Sequence, residues 1–172
     1  MLLTLAPLLV WAADAPPRLS LEELTAQSDA IISGRVVRSW AAMDSENRFI
    51  WTHYEIRVRD TVKGAPRSTV LISEPGGILN GVHLQVSGST KFADGEGVAV
   101  FLYRTPIGYM RTTNYGQGKL TVAPDGNLRA SRLAAGTSVA SLEGATLNVF
   151  RARVGRMVAL QRESRRWSAV LR

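Results

Sequence analysis

The sequence contains no cysteine. That removes disulfides, thiolate metal sites and a cysteine nucleophile at once. Histidine is scarce too, with His53 and His83 the only two. A catalytic zinc ordinarily takes three protein ligands, so histidine alone cannot supply them. There is no Gly-x-Ser-x-Gly elbow, no His-Glu-x-x-His pair and no Walker loop. Gly116-Gln117-Gly118-Lys119 matches only the end of a phosphate loop. The upstream glycine is missing, and Leu120 stands where a Ser or Thr would hold magnesium. No cofactor is expected. Acidic residues are the scarcer charge, 14 against 21 Lys and Arg, for a net charge of +7.

What is present is organised around Phe49–Gly64. The even positions from Ile50 run Ile50, Thr52, Tyr54, Ile56, Val58, Asp60 and Val62. The odd positions from His53 run His53, Glu55, Arg57 and Arg59. A two-residue period with β-branched and aromatic residues on one face predicts a half-buried strand. At about 3.3 Å per residue it is roughly 40 Å long, a length that suits a curled sheet in a barrel or sandwich. The 172 residues are enough for one domain with its own core. The positive charge is uneven. Residues 142–172 hold seven Arg against two Glu, while the rest of the chain holds 14 basic against 12 acidic groups. Any acidic partner is therefore expected at the C-terminal end.

Residues 1–15 read as a signal peptide. Leu2–Ala13 carries no charge and Ala13-Asp14-Ala15 has the Ala-x-Ala form of a cleavage site, although the usual basic start is missing. Residues 16–28 form an N-terminal helical segment, with Ser20 and Glu23 as a capping box and Leu19 and Leu24 at the staple positions. Residues 29–127 carry the strands. These are Ala30–Val37 with a bulge at Gly34, then the long strand, Ser68–Ser73, Val98–Tyr103 and Tyr109–Val122, the last broken near Gly116-Gln117-Gly118. Ala41–Arg48 is a polar hairpin loop. Pro75–Gly88 is Gly-rich and predicts a long irregular loop. Residues 128–141 are small and polar and read as a linker. Residues 142–163 predict an amphipathic helix with Leu147, Phe150, Val154, Met157 and Val158 on one stripe. Residues 164–172 complete the chain as a basic tail.

The candidate binding residues are Trp51 on the long strand, Gly76, Gly77 and His83 in the Gly-rich loop, and Tyr115 near the break in the fifth strand. Arg151, Arg153, Arg156, Arg162, Arg165 and Arg166 form a candidate surface for anionic lipid or glycan. Packing of an amphipathic helix explains the same pattern with no partner. His53 lies on the charged face of its strand and reads as solvated. A metal-dependent hydrolase would have to draw on His53, His83 and a carboxylate such as Asp44 or Asp94.

Ser28–Val37, Thr52–Val58, Val62-Lys63-Gly64, and Phe92–Glu96 before Val98–Leu102 resemble the core of netrin-module and tissue-inhibitor-of-metalloproteinases-like domains. They resemble still more the uncharacterised exported bacterial proteins that share this pattern. The resemblance covers about Ser28–Val122 and implies a five-stranded OB-type β-barrel, in agreement with the strand count. The metalloproteinase inhibitors of that group act through an N-terminal Cys that chelates zinc. With no Cys here, that mechanism does not carry over.

The expected protein is mainly β: a five-stranded OB-type barrel with a short N-terminal helix and an amphipathic C-terminal helix. Its expected role is a secreted or periplasmic, non-catalytic binding module. The partner would be a protein or another envelope component, an anionic lipid or glycan surface included. Nucleic acid is not expected for an exported chain.

Overall fold

The computed structural model describes residues 17–134 and 136–170. The expected signal peptide lies outside the described residues. The first helix, α1, is Leu21–Gln27. The Ser20 side chain accepts from the Glu23 N–H at 3.1 Å, and the Glu23 carboxylate accepts from the Ser20 N–H at 2.7 Å. This is the reciprocal cap the spacing predicts, and it contributes about 1 kcal/mol. Leu24 is fully buried, and Leu19 packs against the same cluster.

The fold is mainly β. A seven-stranded sheet contains β1 (Ala30–Met43), β2 (Ile50–Lys63), β3 (Thr69–Pro75), β6 (Gly97–Arg104), β7 (Met110–Thr112), β8 (Lys119–Val122) and β9 (Leu128–Ala130). A separate two-stranded sheet joins β4 (Gly77–Leu79) to β5 (Val82–Leu84). Both edges of β1 are paired, one with β2 and the other with β6. The pairings therefore run β1-β2-β3-β7-β6 and return to β1. All of them are antiparallel except β3 with β7, which is parallel and rests on the single pair Ile72–Met110. The register of β1 on β2 slips between Ser33 and Gly34. A Cβ at Gly34 would sit 2.2 Å from the Arg57 carbonyl oxygen, so only glycine lets the two backbones approach at this bulge.

Alternation along β6 explains why there are two cores. Val98, Val100 and Leu102 face one side and join Ile32, Val36, Tyr54, Ile56, Val70, Ile72 and Phe92. Ala99 and Phe101 face the other side, where α1 and the C-terminal helix α2 (Leu147–Val170) cover them. Val98–Leu102 is a continuous apolar run because both of its faces are buried. The Phe101 and Phe150 rings meet edge to face, 5.8 Å between centroids, and fasten α2 to the sheet.

Four expectations on local structure need correction. The 128–141 segment is not a linker. It contains β9 and two short 3-10 helices and buries Leu128, Ala134 and Val139, with Leu142 just beyond. Its small residues allow close packing rather than slack. The helix expected over 142–163 starts at Leu147 and runs to Val170, so the expected basic tail continues it. Gly155 is the last Gly or Pro before the chain end, and Arg, Glu and Ala are good or tolerable helix formers. The Gly-rich loop contains the β4–β5 hairpin, turned by Asn80 and Gly81 with φ of 49° and 78°. Finally, the hairpin loop between the long strands is shorter than expected, since β1 reaches Met43 and β2 starts at Ile50.

Candidate functional site

The outer ends of β1 and β2 are held in register by a tight turn. The Asp44 N–H donates to the Phe49 carbonyl at 2.9 Å, and the Arg48 N–H to Asp44 Oδ1 at 2.8 Å. This turn sets Trp40 opposite His53, and the next ladder sets His53 opposite Ser73. Directly opposed residues share a face, so one row crosses three strands. Tyr109 closes the row from the Thr105–Tyr109 turn, where the Thr105 N–H donates to the Tyr109 carbonyl at 2.7 Å.

The row is a chain of rings. Trp40 and His53 lie 5.4 Å apart, His53 and Tyr109 6.0 Å, Tyr109 and Trp51 4.8 Å, and Trp51 and Phe49 5.6 Å. Cations stand at two of its rings, Trp40 and Trp51. The Arg38 guanidinium stands 4.9 Å over Trp40 and bonds Glu55 at 2.7 Å, while Arg111 stands 5.9 Å from Trp51. Trp40 is the most open indole of the row, 37% exposed, and Trp51 is 9% exposed. Trp51 Nε1 and Arg111 Nε are buried donors without hydrogen-bond partners among the described residues.

His53 Nδ1 lies 2.8 Å from Ser73 Oγ. Burial pushes the His53 pKa down, which leaves the imidazole neutral at pH 7. The pair has the spacing of a nucleophile and its base, yet Ser73 is 2% exposed. Among the described residues no carboxylate bonds the imidazole, so the orienting third member of a triad is missing.

The sequence-predicted residues separate into three places. Gly76, Gly77 and His83 come together in a cavity of about 500 Å³ that Thr52, Tyr54 and Lys91 also line. The two glycines are there for the backbone. Both have positive φ, 93° and 147°, and a Cβ on Gly77 would sit 2.4 Å from Thr52 Oγ1. They let the β4–β5 hairpin fold back over β2. Trp51 belongs to the ring row, on the opposite face of β2 from Thr52 and Tyr54. Tyr115 packs against Gly88 and shares a 230 Å³ cavity with Tyr103, Arg111 and Asn114. His53 and His83 thus lie on opposite faces of β2. Among the described residues no group of three His, Asp or Glu could hold a metal ion.

On α2, Arg151 reaches Asp60 at 3.6 Å and Arg153 donates to the Ser141 carbonyl at 3.5 Å. Arg156, Arg162, Arg165 and Arg166 are exposed. The Lys63 ammonium donates to the carbonyls of Thr25 and Ala26 at the end of α1, and its pKa is lowered. Burial is the main cause, followed by repulsion from Arg165, with Arg162 adding to it and Asp29 working the other way. Among the described residues no helix is long and apolar enough to cross a membrane.

The sequence reading missed Trp40, Arg38, Tyr109 and Arg111. Trp40 was within reach, because a turn centred on Glu46 and Asn47 pairs it with His53. Tyr109 was not, because it arrives through the only parallel pairing of the sheet. No protein-family model matches the chain, and no curated protein matches it.

Proposed function

We propose that the protein is an exported, non-catalytic binding module of the OB type that holds an anionic glycan of the cell envelope on its ring row. The OB reading is supported by the circuit of pairings that returns to β1 and by the one parallel step between β3 and β7. OB barrels take ligands on the outer face of the second and third strands, between the loops that follow the first and fourth. Here those loops are Asp44–Phe49 and Thr105–Tyr109. The row Trp40–His53–Tyr109–Trp51 runs between them, and this observation carries the proposal. Rings offer flat faces to sugar rings, and the exposed Arg38 guanidinium matches negative substituents. The export reading draws on the uncharged Leu2–Ala13 run and the Ala-x-Ala pattern that follows it.

The test is titration with heparin, a sulfated polysaccharide, followed by tryptophan fluorescence. Trp40→Ala is expected to weaken binding roughly tenfold, about 1.4 kcal/mol. Unchanged affinity would remove the row from the site. A second reading has its own observation: α2 carries Arg162, Arg165, Arg166 and Trp167 exposed together, an arrangement suited to an anionic bilayer surface. Replacing those three arginines by Ala separates the two readings. Loss of heparin binding there, with none in Trp40→Ala, assigns the anion site to α2.

A further inference from the structure

The parallel step between β3 and β7 is the weakest join in the sheet, and its two ends differ. At one end a side chain replaces the ladder. The Thr112 N–H donates to Glu74 Oε1 at 2.7 Å, and Arg111 Nη2 donates to Glu74 Oε2 at 3.3 Å. At the other end nothing replaces it, and a cleft of about 390 Å³ opens between the start of β3 and the turn before β7. Ile32, Val70 and Met110 line the cleft, with Arg67 and Arg104 also on its walls.

The backbone phase of β3 is fixed by two bonds to β2. The Val58 N–H donates to the Ser68 carbonyl at 2.9 Å, and the Gly76 N–H to the Ile50 carbonyl at 2.8 Å. Pairing positions in an antiparallel ladder alternate, so the even-numbered residues of β3 direct their backbone groups at β2. Thr69 and Leu71 therefore direct theirs at the cleft. The single pair Ile72–Met110 uses the Leu71 carbonyl and the Ser73 N–H. Among the described residues the Thr69 N–H and carbonyl and the Leu71 N–H are left over. Thr69 is exposed and Leu71 is 44% exposed. An unpaired edge of this kind accepts another strand.

We infer that the open end of this seam is a docking site for an extended acidic peptide, which adds to the edge of β3 at Thr69–Leu71. Strand addition satisfies the three leftover backbone groups, and alternate side chains of the guest reach the apolar floor. Arg67 and Arg104 select carboxylates among its remaining side chains; Asp29, which also lines the cleft, already accepts from the Arg104 N–H at 2.7 Å. The inference does not rest on the glycan reading, since it requires neither Trp40 nor Arg38, although Tyr109 borders both the row and the cleft.

The probe is a fluorescein-labelled octapeptide of alternating glutamate and valine, followed by fluorescence anisotropy. It should bind the unaltered protein. The same peptide with alternate backbone nitrogens methylated, or with lysine in place of glutamate, should bind at least about tenfold more weakly, a difference of about 1.4 kcal/mol. Thr69→Pro and Leu71→Pro remove the N–H groups that face the cleft, at positions where an edge strand tolerates proline. Both should lose the peptide, whereas Leu71→Ala, which keeps its N–H, should retain most of the binding. No binding of the glutamate–valine peptide, or equal binding of its methylated form, overturns the inference without reliance on any variant. A concentration-dependent dimer that Leu71→Pro abolishes also overturns it, by giving the edge to a second copy of this chain.

Discussion

Glu74 fastens β7 to β3, and Glu96 fastens β8 to the turn after Phe92. The two strand pieces are halves of one strand that breaks at Tyr115–Gly118. Burial raises the pKa of both carboxylates, yet the outcomes are opposite. Around Glu74, which is 1% exposed, burial outweighs the Thr112 N–H and the Arg111 guanidinium at 3.3 Å, and the pKa ends up raised. Around Glu96, burial is overcome by Lys119 at 2.8 Å, the Thr121 hydroxyl at 2.6 Å and the Ala93 N–H at 3.0 Å, and the pKa ends up lowered. Lys119 is itself held by the Lys91 carbonyl at 2.7 Å and stands 4.6 Å from the Phe92 ring. The contrast teaches that depth of burial set against the number and closeness of donors, not the mere presence of a cation, decides whether such a carboxylate stays charged at little cost.

The largest effect should come from the apolar side chains of the two halves. Leu120 on β8 is fully buried, so Leu120→Ala should cost about 2–5 kcal/mol in urea unfolding. Met110 on β7 is only partly buried and should cost less than half as much when cut to Ala. Equal costs would break the comparison. Next, Glu96→Gln should lose about 1–3 kcal/mol at neutral pH. A lowered folded pKa gives stability that is present above the ordinary carboxylate value and lost as pH falls through the folded value. The deficit of this variant should therefore shrink in acid; a deficit constant with pH would mean that the charge of Glu96 is not what binds β8. The smallest effect belongs to Glu74→Gln, under about 1 kcal/mol at neutral pH. A raised folded pKa gives stability that is fully present below the ordinary value and lost as pH rises through the folded value. Relative to the unaltered protein, this variant should do better as pH rises above the ordinary carboxylate value. Parallel pH profiles for the two glutamine variants would contradict the assigned signs.

Much of the β framework could be read from alternation, because burial on one face imposes it. Tyr54 and Ile56 are buried as their parity predicts, and Gly34 marks a real slip in register. The Ser20–Glu23 cap was legible because it is local. What escaped was either long-range or masked by composition. Trp51 breaks the charged face of β2 because Phe49 beside it and Tyr109 and Arg111 from the start of β7 converge on it. The small residues of 128–141 look like slack until the helices that press on them are known. Gly76 and Gly77 drew notice as a binding loop, whereas their positive φ lets a hairpin fold back. At the site, one strand's contribution was legible and its assembly into a row was not, since that depends on pairings across β1, β2, β3 and the turn before β7.

The C-terminal helix ends its tertiary support well before it ends. Among the described residues Val158 is its last buried side chain, and Gln161, which donates to the Glu22 carbonyl at 3.0 Å, is its last tie to α1. From Arg162 to Ala169 every side chain is exposed, and Arg165 meets Lys63 as a like charge. A stretch that short has little helical stability of its own. Deuterium uptake should therefore be graded along one unbroken rod, with slow amides through the Phe150–Val158 turns and amides near the intrinsic rate beyond Gln161. Anything that grips those outer turns would reveal itself as a slowing of exchange there, with the inner turns as an internal standard.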